Sequence, residues 1–70
     1  MKITVVYTVM TETEIDVSDR FLHLRNCEWG TEDWCDTTYD LTKTLIKQLP
    51  SGAEINAVID TEKDELIFEN

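Results

Sequence analysis

Only one stretch of this chain carries a clear helical rhythm, and it lies between two stretches that alternate. Trp34, Thr38, Leu41, Leu45 and Leu49 recur at helical spacing, flanked by Cys35, Thr42 and Ile46. At 100° per residue these positions share one broad face. Thr31 is placed as the N-cap, and Glu32, Asp33, Asp36 and Asp40 crowd the start, where negative charge suits the helix dipole. Lys43 and Lys47 sit toward the end, and Pro50 with Gly52 stops the run. The spacing therefore predicts a helix over residues 32 to 49. Its threonines lower its intrinsic helicity, so packing must hold it in place.

The flanks have a period of two. Ile3, Val5, Tyr7 and Val9 alternate with Lys2, Thr4, Val6 and Thr8, giving a strand over 2 to 9. Thr13, Ile15 and Val17 then oppose Glu12, Glu14 and Asp16, giving a second strand over 12 to 17. The two make a hairpin turning near residues 10 to 12, without a Gly or Asn to mark the turn. Beyond the helix, Ala53, Ile55, Ala57 and Ile59 are expected to face one way and Glu54, Asn56, Val58 and Asp60 the other. "DTEKDE" forms a turn, and Leu66 and Phe68 point inward from a return strand. Ser18 caps a short helical stretch over 19 to 25, where Phe21, His23 and Arg25 also alternate as a strand would. The fold class is α+β: an antiparallel sheet of two hairpins with one main helix packed across one face, in the order β-β-(short α)-α-β-β.

Seventy residues make one domain, near the lower size limit for folding alone. The 41% apolar share is enough for a core, and nothing repeats. Fifteen acids against six bases give a net charge of -9. Such a chain repels nucleic acid and anionic membrane surfaces and attracts basic protein surfaces. Its longest apolar-leaning run, "ITVVYTVM", is far shorter than the ~20 residues of a membrane span. No export signal is evident, so a cytoplasmic setting is expected.

Both cysteines and both tryptophans fall in "CEWGTEDWC", residues 27 to 35. Seven residues separate Cys27 from Cys35, whereas redox pairs are usually separated by two and zinc pairs by two to four. His23, four residues before Cys27, supplies a third soft ligand, and Asp36 or Glu28 a fourth. The pattern is weak, and burial as small apolar side chains is the commoner fate of such cysteines. The reading is therefore no metal and no cofactor. Trp34 belongs to the core side of the helix. Trp29, in the turn before Gly30, either folds over the core or anchors a partner.

Enzyme chemistry has little support. There is one histidine, no phosphate-binding glycine loop and no nucleophile elbow. His23 and Cys27 as base and nucleophile would lack an orienting group and an oxyanion hole. "DTEKDE" lacks the glycine and distal glutamate of a calcium loop. The carboxylates, by contrast, form ladders. Glu12, Glu14 and Asp16 lie about 6.8 Å apart along a strand. Glu32, Asp36 and Asp40 recur every fourth residue of the helix, about 6 Å apart.

The expected function is binding: a small acidic inhibitor or adaptor that docks a basic protein surface, including that of a nucleic-acid-binding protein, by mimicking nucleic acid. Glu12, Glu14, Asp16, Glu32, Asp36 and Asp40 would supply the charge and Trp29 the apolar anchor. The alternative is a structural subunit that completes its core by homodimerisation, with its acidity serving solubility.

Overall fold

The computed structural model describes residues 1–69. Strand β1 (Lys2–Tyr7) and strand β2 (Thr11–Asp16) form the first hairpin. A 3-10 helix (Asp19–Asn26) leads to helix α1 (Glu32–Ile46), and strands β3 (Ile55–Asp60) and β4 (Glu65–Glu69) form the second hairpin. The sheet order is β2-β1-β3-β4, with every pair antiparallel. This is the α+β architecture expected, with a 3-10 rather than an α-helical first turn. Helix α1 is three residues shorter at its C-terminal end than the spacing predicts, and Leu49 lies beyond it, half-buried.

One side of the sheet carries the core. Ile3, Val5, Ile15 and Val58 pack with Phe21 and Leu24 of the 3-10 helix, Leu41 and Leu45 of α1, and Ile67 and Phe68 of β4. The helix threonines are accommodated by bonding back along the helix. Thr38 and Thr42 donate to the carbonyls of Trp34 and Thr38 at 2.8 and 2.9 Å, and Thr44 to that of Asp40 at 3.1 Å. Ser18 and Thr31 cap their helices, accepting from Arg20 N and Trp34 N at 3.3 Å each.

Two register shifts correct the expected facing of the second hairpin. Val6 pairs with Ala57 but Tyr7 pairs with Ile55, so Asn56 is an extra residue opposite β1. A one-residue slip reverses the side of everything after it. Val58 and Asp60 therefore face the core, while Ala57 and Ile59 face away. The second shift lies in β4: Val58 pairs with Phe68 and Ile59 with Leu66, leaving Ile67 as the extra residue. Phe68 and Ile67 are buried, and Leu66, expected inside, is exposed.

The first turn comes two residues earlier than expected. It occupies residues 8 to 10, with Thr8 and Val9 at φ of 48° and 74°. These are left-handed values that β-branched residues rarely adopt. Val9 N–H donates to Asn56 Oδ1 at 2.8 Å and Thr8 N–H to Glu54 O at 2.8 Å, holding the strained turn against the start of β3. Val9 and Met10 are left in solvent.

A buried ion pair ties the layers together. Asp60, 1% exposed, receives Arg25 Nε at 2.5 Å and Arg25 Nη2 at 3.2 Å. Its Oδ1 also accepts from the backbone N–H of Glu62 and Lys63 at 3.2 and 3.3 Å, which shapes the β3–β4 turn. No helix among the described residues is long and apolar enough to cross a membrane.

Candidate interaction surface

The 3-10 helix and α1 occupy one side of the sheet, and the other is open. Register fixes what stands there. Thr4 and Val6 of β1 pair with Glu14 and Glu12 of β2 on one flank and with Ile59 and Ala57 of β3 on the other. Ile59 in turn pairs with Leu66. The open face thus runs from a carboxylate row, Glu12, Glu14 and Asp16, across Thr4, Val6, Ala57 and Ile59 to Leu66. An antiparallel sheet facing water on one side usually shows polar residues there. Here polar groups stand at both margins, the β2 row and Glu69 of β4 beside Ala57, and a half-buried apolar strip crosses the middle.

The row is weakly neutralised. Lys2 Nζ lies 3.9 Å from Glu14 Oε1, with both side chains more than half exposed, and such contacts contribute little. The Met1 ammonium is 3.5 Å from Asp16 and 2.9 Å from Asp19; its hydrogen bond to Asp19 is the largest influence raising its pKa. Glu12 has no ion pair among the described residues.

The other acids expected in the site belong to the helical layer. Glu32, Asp36 and Asp40 project from α1, so the structure does not merge them with the β2 row. Asp40 is paired to Arg20 at 2.7 Å. Lys43 lies over the Tyr39 ring, 5.0 Å from its centre. Glu32 and Asp36 have no ion pair among the described residues, and they add to the field rather than to the β2 surface.

Trp29 is stacked on the helical layer and left half exposed. Residues 28 to 31 form a turn closed by Thr31 N–H to Glu28 O at 3.4 Å, with Gly30 at φ 86°. The third position of a type II turn needs that sign of φ, which glycine adopts freely. The turn lifts Trp29 off the chain and stacks it on Trp34, with centroids 5.4 Å apart and planes 26° apart. Half of Trp29 stays exposed, and it lines a cleft together with Leu66 and Ile67 at the β4 margin. Trp34 is half-buried, and its indole N–H is buried without an acceptor among the described residues.

Sequence reasoning missed Val6, Ala57, Ile59 and Leu66, the strip between the carboxylate row and the Trp29 margin. Alternation places Ala57 and Ile59 inside, and no composition signal marks the extra residues at Asn56 and Ile67 that turn them outward.

Both cysteines are free. Cys35, expected at the core edge, is exposed, and Cys27 is half-buried. Cys27 Sγ donates to Asp33 Oδ2 at 3.3 Å, and His23 Nε2 lies 3.6 Å from the same oxygen. Burial, and then the Asp33 carboxylate, pushes the Cys27 thiol above its ordinary pKa. Among the described residues the group that could hold a metal is His23, Cys27 and Asp33; Cys35, and the Asp36 or Glu28 expected with His23 and Cys27, are not part of it.

Comparison with protein-family models, with curated proteins and with solved structures finds no match to this chain.

Proposed function

We propose that this chain is a binding protein whose docking surface is the open face of the sheet. In this reading its partner is a basic surface on another protein, of the kind that holds nucleic acid, and its biological effect is that of an inhibitor or adaptor rather than an enzyme. The observation that carries the reading is the juxtaposition on one uncovered face. A carboxylate row at β2 stands beside a half-buried apolar strip that ends near Trp29. Interfaces pair an apolar centre with a charged rim, and the rim sets encounter rate and partner choice. Glu12, Glu14 and Asp16 supply that rim; Val6, Ile59 and Leu66 supply the centre. Trp29 anchors the far margin, and Glu32 and Asp36 strengthen the long-range field. A reducing cytoplasmic setting suits the two free thiols.

Charge and apolar area are separable in the test. Proteins captured by the native chain from an extract of its host are compared with those captured by Glu12→Lys/Glu14→Lys and by Ile59→Asp/Leu66→Asp, at low and high salt. A partner of this surface is basic. It is lost at least about 10-fold, or 1.4 kcal/mol, with either double variant, and its capture weakens with salt. A partner held equally by the charge-reversed chain at both salt concentrations would overturn the reading. A native chain that sediments as a dimer, and becomes a monomer in the Ile59→Asp/Leu66→Asp variant, would favour homodimerisation instead.

A further inference from the structure

We propose that His23, Cys27 and Asp33 form a binding site for a zinc-class divalent cation, with one coordination position open to solvent. The site lies off the open face, where the 3-10 helix hands over to α1, and Cys27 also lines the cleft that Trp29 shares with Leu66. His23 is in the last turns of the 3-10 helix, Cys27 caps its C-terminus, and Asp33 is in the first turn of α1. One donor atom from each lies within 4.8 Å of the others. A tetrahedral zinc with nitrogen and oxygen at about 2.0–2.1 Å and sulfur at about 2.3 Å sets its donors roughly 3.3–3.6 Å apart. Two of the three separations come within about 0.3 Å of their tetrahedral values: 3.6 Å for His23 Nε2 to Asp33 Oδ2, and 3.3 Å for Cys27 Sγ to Asp33 Oδ2.

The histidine is also oriented as a ligand would be. Its Nδ1 lies 2.9 Å from the Arg20 carbonyl oxygen, which can only accept a hydrogen bond. In the neutral ring Nδ1 therefore carries the proton, which leaves the Nε2 lone pair facing the cluster, 3.0 Å from the Thr37 hydroxyl as its donor. Metal-binding histidines are commonly held by this outer hydrogen bond. The donor set of imidazole nitrogen, thiolate and carboxylate selects zinc-class metals over magnesium and calcium, which take oxygen ligands. Binding replaces the Cys27 S–H bond with a sulfur–metal bond and releases that proton to solvent. The Thr37 hydroxyl gives up His23 Nε2 to the cation, and water fills the fourth position on the exposed side. Such a clamp would lock an eight-residue 3-10 helix, longer than such helices usually run, against α1.

The test is titration of the reduced, metal-free chain with zinc(II) and with cobalt(II) as a spectroscopic probe. One equivalent is expected to bind. Cobalt should give a thiolate-to-metal charge-transfer band and the intense visible bands of a tetrahedral site, and zinc should raise the thermal midpoint. His23→Gln and Cys27→Ser should each weaken binding by about 10-fold or more, and Cys27→Ser should remove the charge-transfer band. Cys35→Ser should change neither affinity nor band, and excess magnesium should not compete. Absence of the charge-transfer band in the native chain, its loss with Cys35 rather than Cys27, or displacement by magnesium would each overturn the site.

Discussion

Replacing Asp60 with asparagine keeps the shape of the side chain and removes its charge, which isolates the buried ion pair. Asp60 is 1% exposed and Arg25 only a quarter exposed. Breaking a buried pair by removing one partner costs about 3–5 kcal/mol. The lower figure applies here, because Glu62 still lies 3.2 Å from Arg25 Nη2 and the backbone bonds from Glu62 and Lys63 can persist. A 70-residue domain has a total stability of roughly 3–10 kcal/mol, so a loss of about 3 kcal/mol removes between roughly a third and all of it. At about 4–8 °C per kcal/mol for a chain of this size, the thermal midpoint should fall by roughly 12–24 °C at neutral pH, read by circular dichroism. The pH dependence gives a second reading. The Arg25 hydrogen bond holds the Asp60 carboxyl below the usual carboxylate value; burial opposes this, and the Arg25 charge and the turn N–H groups add to it. A depressed folded pKa means that the stabilisation is fully present above the unfolded value of about 3.9. It is lost as pH falls through the lower folded value. The gap in midpoint between native chain and Asp60→Asn should therefore be constant near neutrality and close in acid. Removing both charges, as Arg25→Met with Asp60→Leu, should recover much of the loss. A midpoint shift under about 4 °C at neutral pH, or a gap that widens in acid, would refute this account of the pair.

Three further outcomes are expected. Val9→Gly relieves a β-branched residue at φ 74° that is 78% exposed, and should stabilise by about 0.5–1 kcal/mol after the extra freedom of glycine in the unfolded chain is set against it; denaturant titration reads it. Thr31→Ala removes the cap of α1 and should cost about 1 kcal/mol, seen as an earlier melting of helix. Leu41→Ala opens a cavity at a fully buried position and should cost about 2–5 kcal/mol, enough to populate unfolded chain visibly in one-dimensional proton spectra.

The element order was readable because both periodicities are strong: helical over Trp34 to Leu45, and two-fold over Ile3 to Val5 and Thr13 to Val17. The caps at Ser18 and Thr31 were readable because side-chain chemistry announces them. What lay beyond reach was non-local. The extra residues at Asn56 and Ile67 exist only relative to a partner strand, so nothing in β3 or β4 alone signals that Val58 and Asp60 turn inward. The Arg25–Asp60 pair joins residues 35 apart in sequence, and the Asp33 that meets His23 and Cys27 does so only once the 3-10 helix and α1 are set side by side. The carboxylate row on β2 was legible as a row; that α1's acids stand in another layer follows from packing.

Strand β2 ends the sheet on one side, and its outer backbone groups could template another strand, as edge strands do. Two copies meeting along this edge would bring Glu12, Glu14 and Asp16 of each beside the same residues of the other. Those facing rows of like charge oppose such a pairing, as charged edge strands do. Replacing Glu12 and Glu14 with glutamine and Asp16 with asparagine removes that repulsion, and such a variant should be the one that joins edge to edge through β2.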